Sequence, residues 1–156
     1  FIPNKLYYLL KDLNNIQILF LNGPNLNLLG SREVEIYGKE SLQEIADWVE
    51  SQIEDTLDTT WFQSNHEGDL IDQIHTSRGV FDGIIINAGA LSHYSYSIRD
   101  AISSVKTPTV EVHMSDIYSR EKFRRKSVLK KVCLSQISGL GKEGYLKALK
   151  ELINYI

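Results

Sequence analysis

Three polar clusters stand at the ends of apolar runs, and their residue types suit acid–base chemistry on a small ligand. The first follows Ile16-Gln17-Ile18-Leu19-Phe20 and reads Leu21-Asn22-Gly23-Pro24-Asn25-Leu26-Asn27-Leu28-Leu29-Gly30-Ser31-Arg32, ending at Tyr37-Gly38. It supplies a polar donor in Asn25, a cation in Arg32 and a phenol in Tyr37, while Gly23-Pro24 and Gly30 let backbone approach a ligand. The second, Asn87-Ala88-Gly89-Ala90-Leu91-Ser92-His93, leads into a helix holding Arg99 and Asp100; a helix start preceded by small residues suits an anion or a polyhydroxylated ligand. The third is Val110-Glu111-Val112-His113-Met114-Ser115-Asp116. Side chains alternate along a strand, so Glu111 and His113 share a face and the carboxylate can orient and charge the imidazole. An unperturbed imidazole is about a quarter protonated at pH 7, and a neighbouring carboxylate raises that fraction, as a general acid requires.

Each cluster also has a plainer reading that residue types alone leave open. Tyr37 would cover a hydrophobic edge, Asn87 would be a turn residue beside an edge histidine, and Glu111 with His113 would form a structural ion pair.

The elements that must position these residues follow from periodicity. Apolar runs predict strands over 16–21, 60–64, 83–87, 109–113 and 132–137. Between them Leu42, Ile45, Ala46, Val49, Ile53 and Leu57 recur at helical spacing behind a Ser41/Glu44 capping box. A second helix carries Leu70, Ile71 and Ile74, a third runs over 95–104, a fourth holds Phe123 and Leu129, and the last aligns Leu146, Leu149, Leu152, Ile153 and Ile156. Strands alternating with helices imply parallel pairing with right-handed crossovers. The expected fold is α/β, a flavodoxin-like three-layer sandwich with a five-stranded parallel sheet, whose carboxyl edge is where ligands bind. Residues 16–156 form one such catalytic domain; residues 1–15 are an N-terminal extension in which Leu6, Leu9, Leu10 and Leu13 suit a packing helix.

Composition narrows the partner. The 156 residues carry a net charge of −3 and are 42% hydrophobic, so a small molecule is expected rather than nucleic acid, despite the basic run from Arg120 through Lys131. No apolar stretch is long enough for a membrane span, and Cys133 is the only cysteine, so a reducing, cytoplasmic setting is expected. Gly139-Leu140-Gly141-Lys142-Glu143-Gly144 matches a dinucleotide fingerprint but opens the last helix with no later ribose-binding acid, so it reads as a tight turn. His66-Glu67 lacks a second histidine at zinc spacing, so no metal site is expected.

Taken in order, these segments resemble the type II 3-dehydroquinate dehydratase family, small flavodoxin-like enzymes of the shikimate pathway. The matching pieces are the Asn22-to-Gly30 motif with Arg32-Glu33 and Tyr37-Gly38, Gln63-Ser64-Asn65-His66-Glu67-Gly68, Ile84-Ile85-Ile86-Asn87-Ala88-Gly89-Ala90, Arg99-Asp100-Ala101, Glu111-Val112-His113, and Arg120-Glu121 with Phe123-Arg124. The resemblance implies a lyase of aromatic amino acid biosynthesis. Water leaves 3-dehydroquinate by anti elimination through an enolate, giving 3-dehydroshikimate with no cofactor, no metal and no lysine Schiff base. It implies Tyr37 as the base held ionised by Arg32, His113 as the acid supported by Glu111, and Asn25 as the enolate's stabiliser through a water. Asn87, His93, Asp100, Met114, Ser115 and Arg124 would hold the substrate, Met114 and Ser115 through backbone N–H groups. The implied assembly is a homododecamer of four trimers, with Asp100 reaching a neighbour's site.

Free tyrosine, with a reference pKa near 10, is ionised to about one part in a thousand at pH 7, so a phenol used as a base needs a cation beside it. One guanidinium at about 4 Å contributes roughly 4 kcal/mol at an effective dielectric near 20, but only about 1 kcal/mol across bulk water. Closure of the 22–40 loop is therefore expected to arm the base as well as trap the substrate.

Four positions depart from the family's usual pattern: Val34 replaces a proline, Tyr94 a threonine, Asp116 an asparagine and Tyr118 a histidine. Asp116 would weaken the binding of a carboxylate if it faced the site. Two other readings of the same fold are a flavin or nucleotide-binding module and a nonenzymatic scaffold.

Overall fold

A run such as Ile18-Leu19-Phe20-Leu21 buries every side chain and sends alternate residues to opposite faces, which is stable only in a strand covered on both sides. The computed structural model of the protein describes residues 15–156 and joins five strands into one parallel sheet of order β2-β1-β3-β4-β5. They are β1 (Ile16–Asn22), β2 (Leu57–Gln63), β3 (Gly83–Asn87), β4 (Thr109–His113) and β5 (Ser135–Ser138). The helices are α1 (Val34–Tyr37), α2 (Leu42–Glu50), α3 (Glu67–Ser77), α4 (Tyr96–Val105) and α5 (Glu143–Tyr155).

Ile18, Phe20, Ile85 and Val112 form one core with α2 and α5, while Leu19, Leu21, Ile84 and Ile86 form another with α3 and α4. The helix leading outward from β1 to β2 covers one face, and those leading back from β2 to β3 and on to β4 cover the other. Right-handed crossovers require that arrangement. The strand order reverses direction between β1 and β3, so the two loops leaving their carboxyl ends diverge and a crevice opens there. The expectation for Leu6, Leu9, Leu10 and Leu13 lies outside the described residues.

The capping box of α2 closes in both directions, Ser41 N–H to Glu44 Oε2 at 2.7 Å and Glu44 N–H to Ser41 Oγ at 3.2 Å. The helix nevertheless stops at Glu50; Ile53 still packs on the core, but Leu57 opens β2. β2 therefore begins before residue 60, because an edge strand with exposed Asp58 and Thr60 disguises its start as a turn. The helix expected around Phe123 and Leu129 is not formed, and two short 3₁₀ turns, Lys122–Arg125 and Lys130–Val132, stand there instead. Backbone donors in this segment are spent elsewhere: Val128 N–H on Ser92 O at 2.8 Å, and Leu129 and Lys130 N–H on Ser127 Oγ at 3.1 and 3.3 Å. β5 correspondingly begins at Ser135 rather than residue 132.

Gly23 marks the point where β1 hands the chain to its loop. Its N–H donates to Asn87 O at 2.8 Å, and a Cβ there would lie 2.5 Å from Ala88 O. That oxygen is backbone and cannot swing aside, so Gly23→Ala must pry the β1 and β3 exits apart. We expect a loss of about 1–3 kcal/mol, read as a fall in Tm of roughly 2–10 °C in thermal unfolding, with the fold retained.

Candidate active site

The carboxyl ends of β1, β3 and β4 border a cleft with about 550 Å³ of space free of protein atoms. Arg32, Arg120 and Arg124 line it, and no carboxylate does, so the cleft favours an anion.

Tyr37 reaches it from α1, a single turn that begins after Glu33 and ends at Gly38, whose φ of 87° only glycine adopts freely. Val34 occupies the first position of that turn, where proline is well tolerated, so the departure leaves the turn intact. The phenol oxygen accepts a hydrogen bond from Arg120 Nη1 at 2.6 Å, and the same nitrogen lies 3.2 Å from Ser115 Oγ. Arg32 places its guanidinium carbon 4.8 Å from the Tyr37 ring centroid and is paired with Glu33 at 2.9 Å. A negative charge on the phenol oxygen would therefore meet one guanidinium directly and a second over the ring.

Across the cleft, His113 and His93 lie with ring centroids 6.0 Å apart and near-parallel planes. His113 Nε2 is 2.7 Å from Glu111 Oε1, which leaves Nδ1 as the ring nitrogen for a ligand. Glu111 is fully buried and is gripped further by Ser127 Oγ at 2.6 Å and Gln136 Nε2 at 3.1 Å. His93 has its Nδ1 at 2.8 Å from Lys126 O. A carbonyl only accepts, so Nδ1 carries the proton and Nε2 is an acceptor suited to a hydroxyl. Burial holds the His93 imidazole below its ordinary pKa, partly opposed by that bond to Lys126 O.

Asn87 lines the cleft with its amide anchored, Nδ2 donating to Tyr145 OH at 3.0 Å and Oδ1 accepting from Gly89 N–H at 3.3 Å. Asn25 adopts a left-handed φ of 70° at the start of a 3₁₀ turn, Leu26–Leu28, and its N–H donates to Asn65 Oδ1 at 2.9 Å. Met114, Ser115 and Arg124 border the cleft as well. Asp116 does not: its Oδ1 accepts from Tyr118 N–H at 3.0 Å, capping the 3₁₀ turn Ile117–Ser119. Among the described residues no group of three or more His, Cys, Asp or Glu is placed to hold a metal ion, and no helix is long and apolar enough to cross a membrane.

Residues 16–153 match the family model described as dehydroquinase class II. The chain belongs to that family. The 3-dehydroquinate dehydratase of Bacillus subtilis is 53% identical over 137 residues, covering 87% of this chain and 93% of the relative. That of Caldicellulosiruptor saccharolyticus is 51% identical over 142 residues, covering 88% and 98%. The solved structure of a type II dehydroquinase from Butyrivibrio crossotus superposes with a TM-score of 0.86 at 44% identity, covering 89% of this chain and 98% of that one.

In this member of the class II dehydroquinase family one cleft gathers Asn25, Arg32, Tyr37, Asn87, His93, His113, Met114, Ser115 and Arg124, drawn from the ends of β3 and β4 and the segments that follow β1, β3 and β4. Asp100 stands apart, exposed on α4 and outside the cleft of its own chain. Arg120 belongs to the family-matching Arg120-Glu121 pair, but the sequence assigns it no role because it opens a basic run whose members look alike. Ser127 and Gln136, the further partners of Glu111, carry no local signal at all.

The His93 geometry has a pH signature. The folded chain binds a proton at His93 less readily than the unfolded chain, whose histidine titrates near 6.5, so stability declines as pH falls through 6.5 toward the folded value. A histidine-resolved NMR titration should give His93 an apparent pKa below 6.5. His93→Gln should reduce the stability lost on acidification in that window.

Proposed function

We infer that the chain is a type II 3-dehydroquinate dehydratase, converting 3-dehydroquinate to 3-dehydroshikimate in the shikimate pathway. The observation that carries this reading is the Tyr37–Arg120 contact facing the Glu111–His113 pair across a cationic cleft, in a chain about half identical to dehydratases over nearly their whole length. Elimination of water beside a ketone needs a base, an acid and a way to bear enolate charge. Tyr37, as phenolate, takes the proton from the carbon next to the ketone, and the C–H electrons pass into the enolate. Arg120 and Arg32 balance the negative charge that Tyr37 must carry beforehand. Asn25 stabilises the enolate oxygen through a water. The enolate then re-forms the ketone, its electrons make the ring double bond, and His113 protonates the departing hydroxyl from Nδ1 so that water leaves.

The substrate's remaining groups have matching partners. Its carboxylate suits Arg124 and the backbone N–H groups of Met114 and Ser115, and its hydroxyls suit Asn87 and the acceptor nitrogen of His93. Asp100, exposed on α4, suits a role in a neighbouring subunit's cleft, as the family resemblance implies for trimers grouped into a dodecamer. A cytoplasmic location belongs to the same reading.

The conjugated enone of the product absorbs in the ultraviolet, which gives a direct assay. Tyr37→Phe should lower kcat by about 10²–10⁴-fold while substrate still binds, and Arg120→Met should lower kcat more than it raises KM. A fully active Tyr37→Phe protein would sink the assignment. His113→Ala should lose product formation by a similar factor yet still exchange the proton beside the ketone with deuterated solvent, measured by NMR of the substrate. Loss of that exchange together with turnover would argue against a separate enolate step.

A further inference from the structure

Glu111 is held by a chain of hydrogen bonds that runs to the surface, and the chemistry of each donor fixes its direction. Ser127 Oγ accepts from Leu129 and Lys130 N–H, so its single hydrogen is the one that reaches Glu111 Oε1. A carboxylate only accepts, so Gln136 must turn its amide nitrogen to Glu111 Oε2, at 3.1 Å, and its carbonyl away. That carbonyl meets the Tyr118 hydroxyl at 2.5 Å, which therefore donates to it. The Lys130 ammonium, a donor only, lies 3.4 Å from the same hydroxyl. Hydrogens point inward at every step from Lys130 to Glu111, so each bond polarises the next in the same sense. The tyrosine is itself fixed from below, because Asp116 Oδ1 caps the turn that carries it.

Without the Tyr118 hydroxyl, the Gln136 amide would be oriented from one end only, by the carboxylate it is meant to hold, and its carbonyl would lose its donor. Glu111 would keep its partners at Oε1 but have Oε2 held less firmly, loosening the carboxylate plane that sets the His113 ring. Two of the four departures from the family pattern, Asp116 and Tyr118, thus form one device on the side of Glu111 remote from the cleft. We propose that Tyr118 and Gln136 are positioning residues for the dehydration: together they lock the Glu111 carboxylate so that His113 keeps a proton on Nε2 and presents Nδ1 to the departing hydroxyl. This rests on the dehydratase reading for its consequence in turnover, but the state of the His113 ring is a property of the protein by itself.

The test therefore has two readouts in the full chain, one kinetic and one spectroscopic. Tyr118→Phe keeps the ring and removes the donor; Gln136→Leu removes the contact to Glu111 outright. Both should lower kcat by roughly five- to tenfold, the effect of one buried hydrogen bond, with KM within about twofold. Exchange of the proton beside the ketone, which depends on Tyr37, should keep its parental rate. In ¹⁵N-histidine spectra of the ligand-free protein, the His113 Nε2–H signal should be protected in the parent and exchange faster with water in both variants. Parental kcat with a parental His113 spectrum in Tyr118→Phe would overturn the proposal, and so would an equal fall in turnover and proton exchange, which would mark general damage to the cleft. If the parent chain leaves 3-dehydroquinate unchanged, the dehydratase reading fails, whereas the comparison of His113 spectra still decides whether Tyr118 and Gln136 set the ring.

Discussion

The hydrogen bond from Arg120 to the Tyr37 oxygen joins two loops that share no secondary structure and lie 83 residues apart in the chain. Everything else in the molecule serves to bring those loops within reach. Parallel strands end at a common edge, so the segments following β1 and β4 both emerge there, and β3 between them holds the spacing. Ser115 shares the guanidinium and so orients the cation before it meets the phenol. A phenol at the tip of a one-turn helix would otherwise sample many rotamers; a charge-assisted bond of 2.6 Å confines it.

The same edge carries polar groups into the interior, and they are handled in two contrasting ways. Tyr145 is fully buried and its burial pushes the hydroxyl far above the ordinary phenol range, so it stays neutral. It donates to Asn22 Oδ1 at 2.7 Å and accepts from Asn87, bracing the ends of β1 and β3 as a rigid strut. Glu111 lies as deep but on the opposite face of the sheet, and three donors converge on its two oxygens. Two tyrosines in one molecule thus take on different work through their surroundings: Tyr145 is confined to framework by burial, whereas Tyr37 faces cations at the surface of the cleft.

The alternation of apolar runs and helical stripes was enough to read the sheet, and β3 and β4 fall on the expected residues because both are buried on two faces. Where the chain runs along an edge, polar exposed residues blur the pattern, as at the start of β2. The segment after Arg120 misled for a different reason. Phe123 and Leu129 have helical spacing, but the Ser127 hydroxyl captures the N–H groups of Leu129 and Lys130 and Ser92 O captures that of Val128; the apolar periodicity records neither competitor. Within the site, Arg32 and Tyr37 stood out in the long loop that follows β1, and the Glu111–His113 pair at the end of β4. Arg120 did not, since Lys122, Arg124, Arg125 and Lys126 close behind it are also basic, and only the fold shows that Arg120 and Arg124 are the ones that reach the cleft.

Each guanidinium bordering the cleft already has an acidic companion supplied by its own loop. Glu33 holds Arg32 at 2.9 Å, and Glu121 holds Arg124 at 3.0 Å while lying 3.6 Å from Arg120. Both carboxylates are about half exposed, so the guanidiniums are screened from the solvent side instead of forming a bare positive well. Three guanidiniums set against two carboxylates leave the net charge of the rim small, which blunts its long-range attraction for polyanions.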